Sequence, residues 1–185
     1  MHYVPLALIV LGIGWAILTY NTFVSMKNRI KNSFHQIDVQ LRRKLDLIPN
    51  LVEVVKDYMS FEKDTLERVI KARSMVTNAR GPKEKAESSA LLTDALKSLF
   101  AVVENYPDLK ANKAVMDLEE ELTSTENRIA YSRQFYNDCV MIYNTKLEKF
   151  PSNLIGSLFN YRKEDYFDTG SERDQRLKVD LVPDN

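Results

Sequence analysis

A chain of 185 residues with 44% hydrophobic and 28% charged side chains is long enough for one domain with a proper core, and two independent cores would be cramped. Lysine plus arginine and aspartate plus glutamate both number 26, so the zero net charge gives no general attraction to nucleic acid or acidic substrates. Cys139 is the only cysteine, which excludes an intramolecular disulfide, and five glycines with six prolines leave little material for the turns of a β-sandwich or Rossmann sheet.

The chain opens on an uncharged run, YVPLALIVLGIGWAILTY, which continues at helical spacing through Asn21, Thr22, Phe23 and Val24. About 20 residues at 1.5 Å each cross the roughly 30 Å hydrocarbon layer of a bilayer, so residues 3–23 are predicted to form one transmembrane helix. A buried core helix would rarely run this far without a charged face. A cleaved signal peptide would need a basic start and a small-residue exit, whereas this chain has Met-His-Tyr-Val-Pro and Leu18-Thr19-Tyr20-Asn21. No Lys, Arg, Asp or Glu precedes Lys27, and the first acid is Asp38. The juxtamembrane basic residues Lys27, Arg29 and Lys31 therefore place the carboxyl-terminal side in the cytoplasm and the amino terminus outside, and they can rest on anionic headgroups.

Beyond the span, Phe23, Met26, Ile30, Phe34, Ile37, Leu41 and Leu45 form one apolar stripe that carries the membrane helix into the domain. Pro49, lacking an amide donor, predicts a break or kink. A second helix follows through Val52, Val55, Met59, Leu66, Val69 and Val76 and stops at Asn78-Ala79-Arg80-Gly81-Pro82. Leu91 to Val103 make a third, closed by Asn105-Tyr106-Pro107. The fourth has a seam of Val115, Leu118, Leu122, Thr125, Ile129, Ser132, Tyr136, Cys139 and Tyr143, an alternation of three and four typical of shallow-angle packing. The predicted fold is all-α: a single transmembrane helix continuing into an antiparallel four-helix bundle. It divides into an anchor over residues 1–24, a helical domain over 25–167 whose aromatic-rich end folds back on the bundle, and a disordered polar tail over 168–185.

Two long stretches, residues 20–73 and the segment from Leu99 through KFPSNLIGSLF, carry unusual strings: IDVQL, DLIPNLVE, YPDLKAN and TENRIA. In these the chain resembles the LemA family over nearly its whole length. It departs at Phe34 and His35, where many members carry a tryptophan and a small polar residue, an exchange that leaves the fold intact. The resemblance implies an amino-terminal anchor in a bacterial inner membrane, a cytoplasmic helical bundle and no established activity. It also implies a scaffold or adaptor role beside an unidentified membrane or cytoplasmic protein, a membrane metalloprotease being the family's usual neighbour.

The residues themselves supply no catalytic equipment. A di-iron bundle needs two Glu-x-x-His pairs, but the only histidines are His2 and His35, and neither follows an acid by three. There is no His-Glu-x-x-His, no phosphate-binding glycine loop and no Gly-x-Ser-x-Gly elbow. No cofactor or metal is expected, and Cys139 reads as a core thiol. Asp38 and Arg42 have the order of a helix-surface pair, while Arg42-Arg43-Lys44 and Glu119-Glu120-Glu121 read as solvated charge. Thr125 and Ser132 put hydroxyls on an apolar seam. With Asn50 and Asn127 they form a candidate polar seam, serving either helix register or, in an alternative function, the binding of a small polar ligand or lipid headgroup.

Overall fold

The computed structural model describes residues 3–56, 58 and 62–168; Met59 and the tail from residue 169 lie outside the described residues. These residues form six helices: α1 (Tyr3–Lys56), α2 (Lys63–Asn78), α3 (Gly81–Val103), α4 (Pro107–Lys110), α5 (Lys113–Glu148) and α6 (Ser152–Leu158). No strand occurs among them.

The first helix is 54 residues long, about 80 Å. Its most apolar 18-residue window is only 6% buried, so this segment is not a core helix of the domain. Buried positions begin at Thr19 and Phe23, and from there a heptad takes over: Phe23, Ile30, Ile37, Lys44 and Leu51 are all buried at intervals of seven, with Leu41, Ile48 and Val55 beside them. Pro49 does not end the helix, contrary to the break its chemistry predicts. A proline removes the bond to the carbonyl four residues back, here that of Leu45. That oxygen accepts instead from Arg73 Nε of α2 at 3.0 Å.

The pairing is uneven. Helix α5 runs antiparallel to α1 along most of its length, so that Phe23 meets Tyr143, Phe34 meets Tyr136 and Arg43 meets Glu121. Its own heptad of Val115, Leu122, Ile129, Tyr136 and Tyr143 is buried. Helices α2 and α3 form a hairpin whose turn uses Gly81 at φ 75°, a left-handed conformation that glycine adopts without cost. Pro82 follows in the first turn of α3, and Glu84 accepts from the Arg80 amide at 2.8 Å. The hairpin contacts α1 more sparingly, and α3 runs parallel to it, with Lys85 pairing with Asp38 and Lys44 reaching Thr93. Asp38 thus bonds across helices rather than along its own helix to Arg42.

Helix α5 begins at Asn112, whose side chain accepts from the Ala114 amide at 2.9 Å. After it, α6 turns back against α5 and α1, and Gly156 allows the close approach: a Cβ there would lie 2.5 Å from Leu147 Cδ1.

Candidate functional site

The strongest polar feature of the interior joins α1, α3 and α5. The Lys44 side chain is 2% exposed; its ammonium donates to Glu126 Oε2 at 2.6 Å and to Thr93 Oγ1 at 2.8 Å. The Thr93 hydroxyl lies 3.0 Å from the Ser89 carbonyl and 3.3 Å from Glu126 Oε1. A buried ammonium is tolerated only when paired and hydrogen-bonded, and this arrangement supplies both. Lys44 is therefore no part of a solvated basic knot. Its heptad position points it inward, while Arg42 and Arg43 face out and Arg43 pairs with Glu121 at 2.7 Å on the surface. Beside the cluster lies an open groove of about 190 Å³, floored by Leu96, Phe100 and Leu122 and edged by Lys97, Thr123 and Asn127.

The candidate polar seam is brought together only in part. Thr125 is 1% exposed and sits in the seam, and Ser132 is half-buried. Asn50 and Asn127 lie on the exposed surface, and Asn50 is not bonded to Thr125. Glu126, beside Thr125, is the residue that meets α1 and α3.

A second polar system binds the chain's return segment to α5. Tyr136-Asn137 and Tyr143-Asn144 form a repeat seven residues apart, so both pairs face the same way. The Asn144 amide donates to the Glu164 carbonyl and its oxygen accepts from the Glu164 amide, both at 3.0 Å. Asn137 treats Phe167 identically, at 3.2 and 2.8 Å. The tyrosine hydroxyls donate to the Arg162 carbonyl at 2.9 Å from Tyr143 and to the Asp165 carbonyl at 2.8 Å from Tyr136. Burial, reinforced by the charge of Glu164, pushes the Tyr143 phenol up to about 12 and raises Tyr136 further still.

Of the three cations that follow the apolar segment, only Lys27 takes part in the same assembly. Lys27 pairs with Glu164 at 3.2 Å and lies over the Tyr161 ring; Arg29 covers the Phe135 ring; Lys31 is exposed. Among the described residues, no group of three or more His, Cys, Asp or Glu side chains comes together as a metal site.

These features define an all-helical protein with one long apolar amino-terminal helix and an interior whose polar groups bond largely to one another. The chain belongs to the LemA family, whose family model matches residues 33–181. That match starts inside α1, after the apolar segment. Among curated relatives, the magnetosome protein MamQ 2 of Paramagnetospirillum magneticum is 24% identical over 185 residues, covering 86% of this chain and 68% of the relative. Protein LemA of Metamycoplasma hominis is 25% identical over 136 residues, covering 73% and 62%. The magnetosome protein MamQ of Magnetospirillum gryphiswaldense is 23% identical, covering 82% and 65%. The chain thus matches about two thirds of the length of these relatives.

Proposed function

We propose that this LemA family protein is a membrane-anchored, non-enzymatic scaffold or adaptor. In this reading residues 3–23 cross a bacterial inner membrane once, the amino terminus lies outside, and an antiparallel four-helix bundle stands at the cytoplasmic face. The supporting observation is α1 itself: an exposed apolar segment of bilayer length continues without interruption into the helix that organises the domain. Lys27, Arg29 and Lys31 follow the span, which favours the cytoplasmic orientation of the domain. The polar interior is spent on holding the fold, whereas Tyr131, Met141 and Ile142 are exposed on α5 and offer a docking face to a membrane or cytoplasmic protein, a membrane metalloprotease among the candidates. Photo-crosslinking in cells from p-benzoylphenylalanine placed at Tyr131, Met141 and Ile142 tests this. One reproducible protein adduct is expected, and its absence from all three positions sinks the scaffold reading.

The second reading, a sensor for a small polar ligand or lipid headgroup, is favoured by the groove beside Lys44 and Glu126. Its volume is below the range of ordinary ligand pockets, which restricts it to a small occupant. Thermal-shift screening tests it, since a ligand specific to the native state raises the melting point, and Glu126→Gln should abolish that rise.

A further inference from the structure

The tip formed by the end of α5 and α6 exposes apolar side chains that neither the core nor the span uses. Residues 150–161 (FPSNLIGSLFNY) carry no charge. Within them Ile155 and Gly156 face inward, while Phe150 (79% exposed), Leu158 (72%), Leu154 and Phe159 face out. Lys146 and Lys149 precede this stretch and Arg162 and Lys163 follow it; of the nearby acids, Glu148 pairs with Lys163 and Glu164 with Lys27, and Asp165 comes next in sequence.

The position of this tip along α1 gives the patch its meaning. The Phe159 ring lies 4.6 Å from that of Tyr20, and Tyr161 stacks on Phe23 at 5.1 Å. Helix α6 packs against α1 where Thr19 is buried and Ala16 is half-buried. These are the closing residues of the uncharged run, and the first charge on α1, Lys27, comes about one turn or more further on. A bilayer that takes up residues 3–23 therefore reaches the level of α6. An uncharged apolar tip bordered by the exposed cations Lys149 and Arg162 at that level has the chemistry of an interfacial membrane segment: apolar groups enter the acyl boundary and cations stay at the headgroups.

We propose that the α5–α6 tip is a second membrane contact, with Phe150, Leu154, Leu158 and Phe159 inserted into the leaflet on the domain side and Lys149 and Arg162 directed to its headgroups. This rests on the reading of residues 3–23 as the span. It makes the domain sit on the bilayer at two points.

The test uses the full chain carrying Cys139→Ala, reconstituted into phosphatidylcholine–phosphatidylglycerol vesicles, with a single nitroxide-labelled cysteine at position 13, 131 or 158. Collision with oxygen, which partitions into lipid, is compared with collision with an aqueous nickel chelate. At 158 the oxygen-to-nickel ratio should approach that at 13 and exceed that at 131 several-fold. A 158 ratio equal to that at 131, with 13 still in lipid, overturns the tip contact alone. A water-exposed label at 13 overturns the span reading and the tip contact with it. Leu158 and Tyr131 are exposed and Ile13 lies in the exposed apolar segment, so none of the three labels disturbs the core.

Discussion

The guanidinium of Arg73 donates to the carbonyl of Leu45, the oxygen that Pro49 leaves without its helical partner. The proline thus makes a docking point for α2 instead of a break. Replacing Arg73 with alanine strands a partly buried carbonyl and should cost about 1–2 kcal/mol. In a Pro49→Ala background, which restores a backbone N–H at position 49 to bond the Leu45 carbonyl, the same change should cost much less. A double-mutant cycle by thermal unfolding measures the coupling, and additive losses would refute the relationship.

Glu126→Gln should be among the most damaging single exchanges in the interior, at about 2–4 kcal/mol, because it leaves the Lys44 ammonium buried without its counter-charge. The partial exposure of Glu126 holds the figure below that of a fully buried pair. Lys44→Met combined with Glu126→Leu should recover most of the loss, since apolar side chains of similar volume replace a buried pair with little penalty. Urea midpoints of the parent chain and the two variants check the order.

The alkaline limb of stability should be set by the ladder tyrosines. In the folded chain Tyr143 keeps its proton up to about pH 12, and Tyr136 keeps its own for longer, against a reference near 10 in the unfolded chain. Between these values the folded state binds more protons, so this contribution is complete below about pH 10 and is lost as pH rises. Melting temperatures between pH 9 and 12 should fall less steeply for Tyr143→Phe than for the parent chain. Parallel slopes would remove Tyr143 as the cause.

Asn144→Ala and Asn137→Ala each remove a donor and an acceptor from one backbone residue, a loss of about 1–3 kcal/mol. Because the segment around residues 161–168 hangs on these bonds, its release should precede global unfolding. Limited proteolysis should cut there first, and faster in the double variant. Unchanged cleavage would mean that the tyrosine hydroxyl bonds, the Lys27–Glu164 pair and the ring contacts hold the segment without the asparagines.

The all-helical fold and the apolar amino-terminal helix were legible because both rest on composition and periodicity, and the α5 seam was correct in its spacing. The α1 stripe was only half right. Its apolar residues run to Leu45, and charge alone puts Lys44 in solvent, although Lys44 holds the heptad place between Ile37 and Leu51. Hydrophobicity is a poor guide where a lysine fills a core position, and the regular interval of seven was the available signal. A buried hydroxyl needs a partner, which makes Asn50 a candidate for the seam, but partnership depends on the level at which helices cross, which spacing alone does not reveal. The continuity of α1 through Pro49 depends on Arg73, which lies far along the sequence and on another helix.

With residues 3–23 crossing the membrane as proposed, the unbroken backbone of α1 fixes which side of the span lies under the domain, because a hydrogen-bonded helix cannot swivel about its own axis. Counting at 100° per residue, Gly12 falls within about 20° of Phe23, on the line that also carries Ala16 and Thr19. The narrowest flank of the span therefore lies directly beneath α6. Any neighbouring membrane helix that sought the slim side would have to approach in the shadow of the domain. One inserted residue near Val24 would turn that flank by about 100° and open it to the lipid.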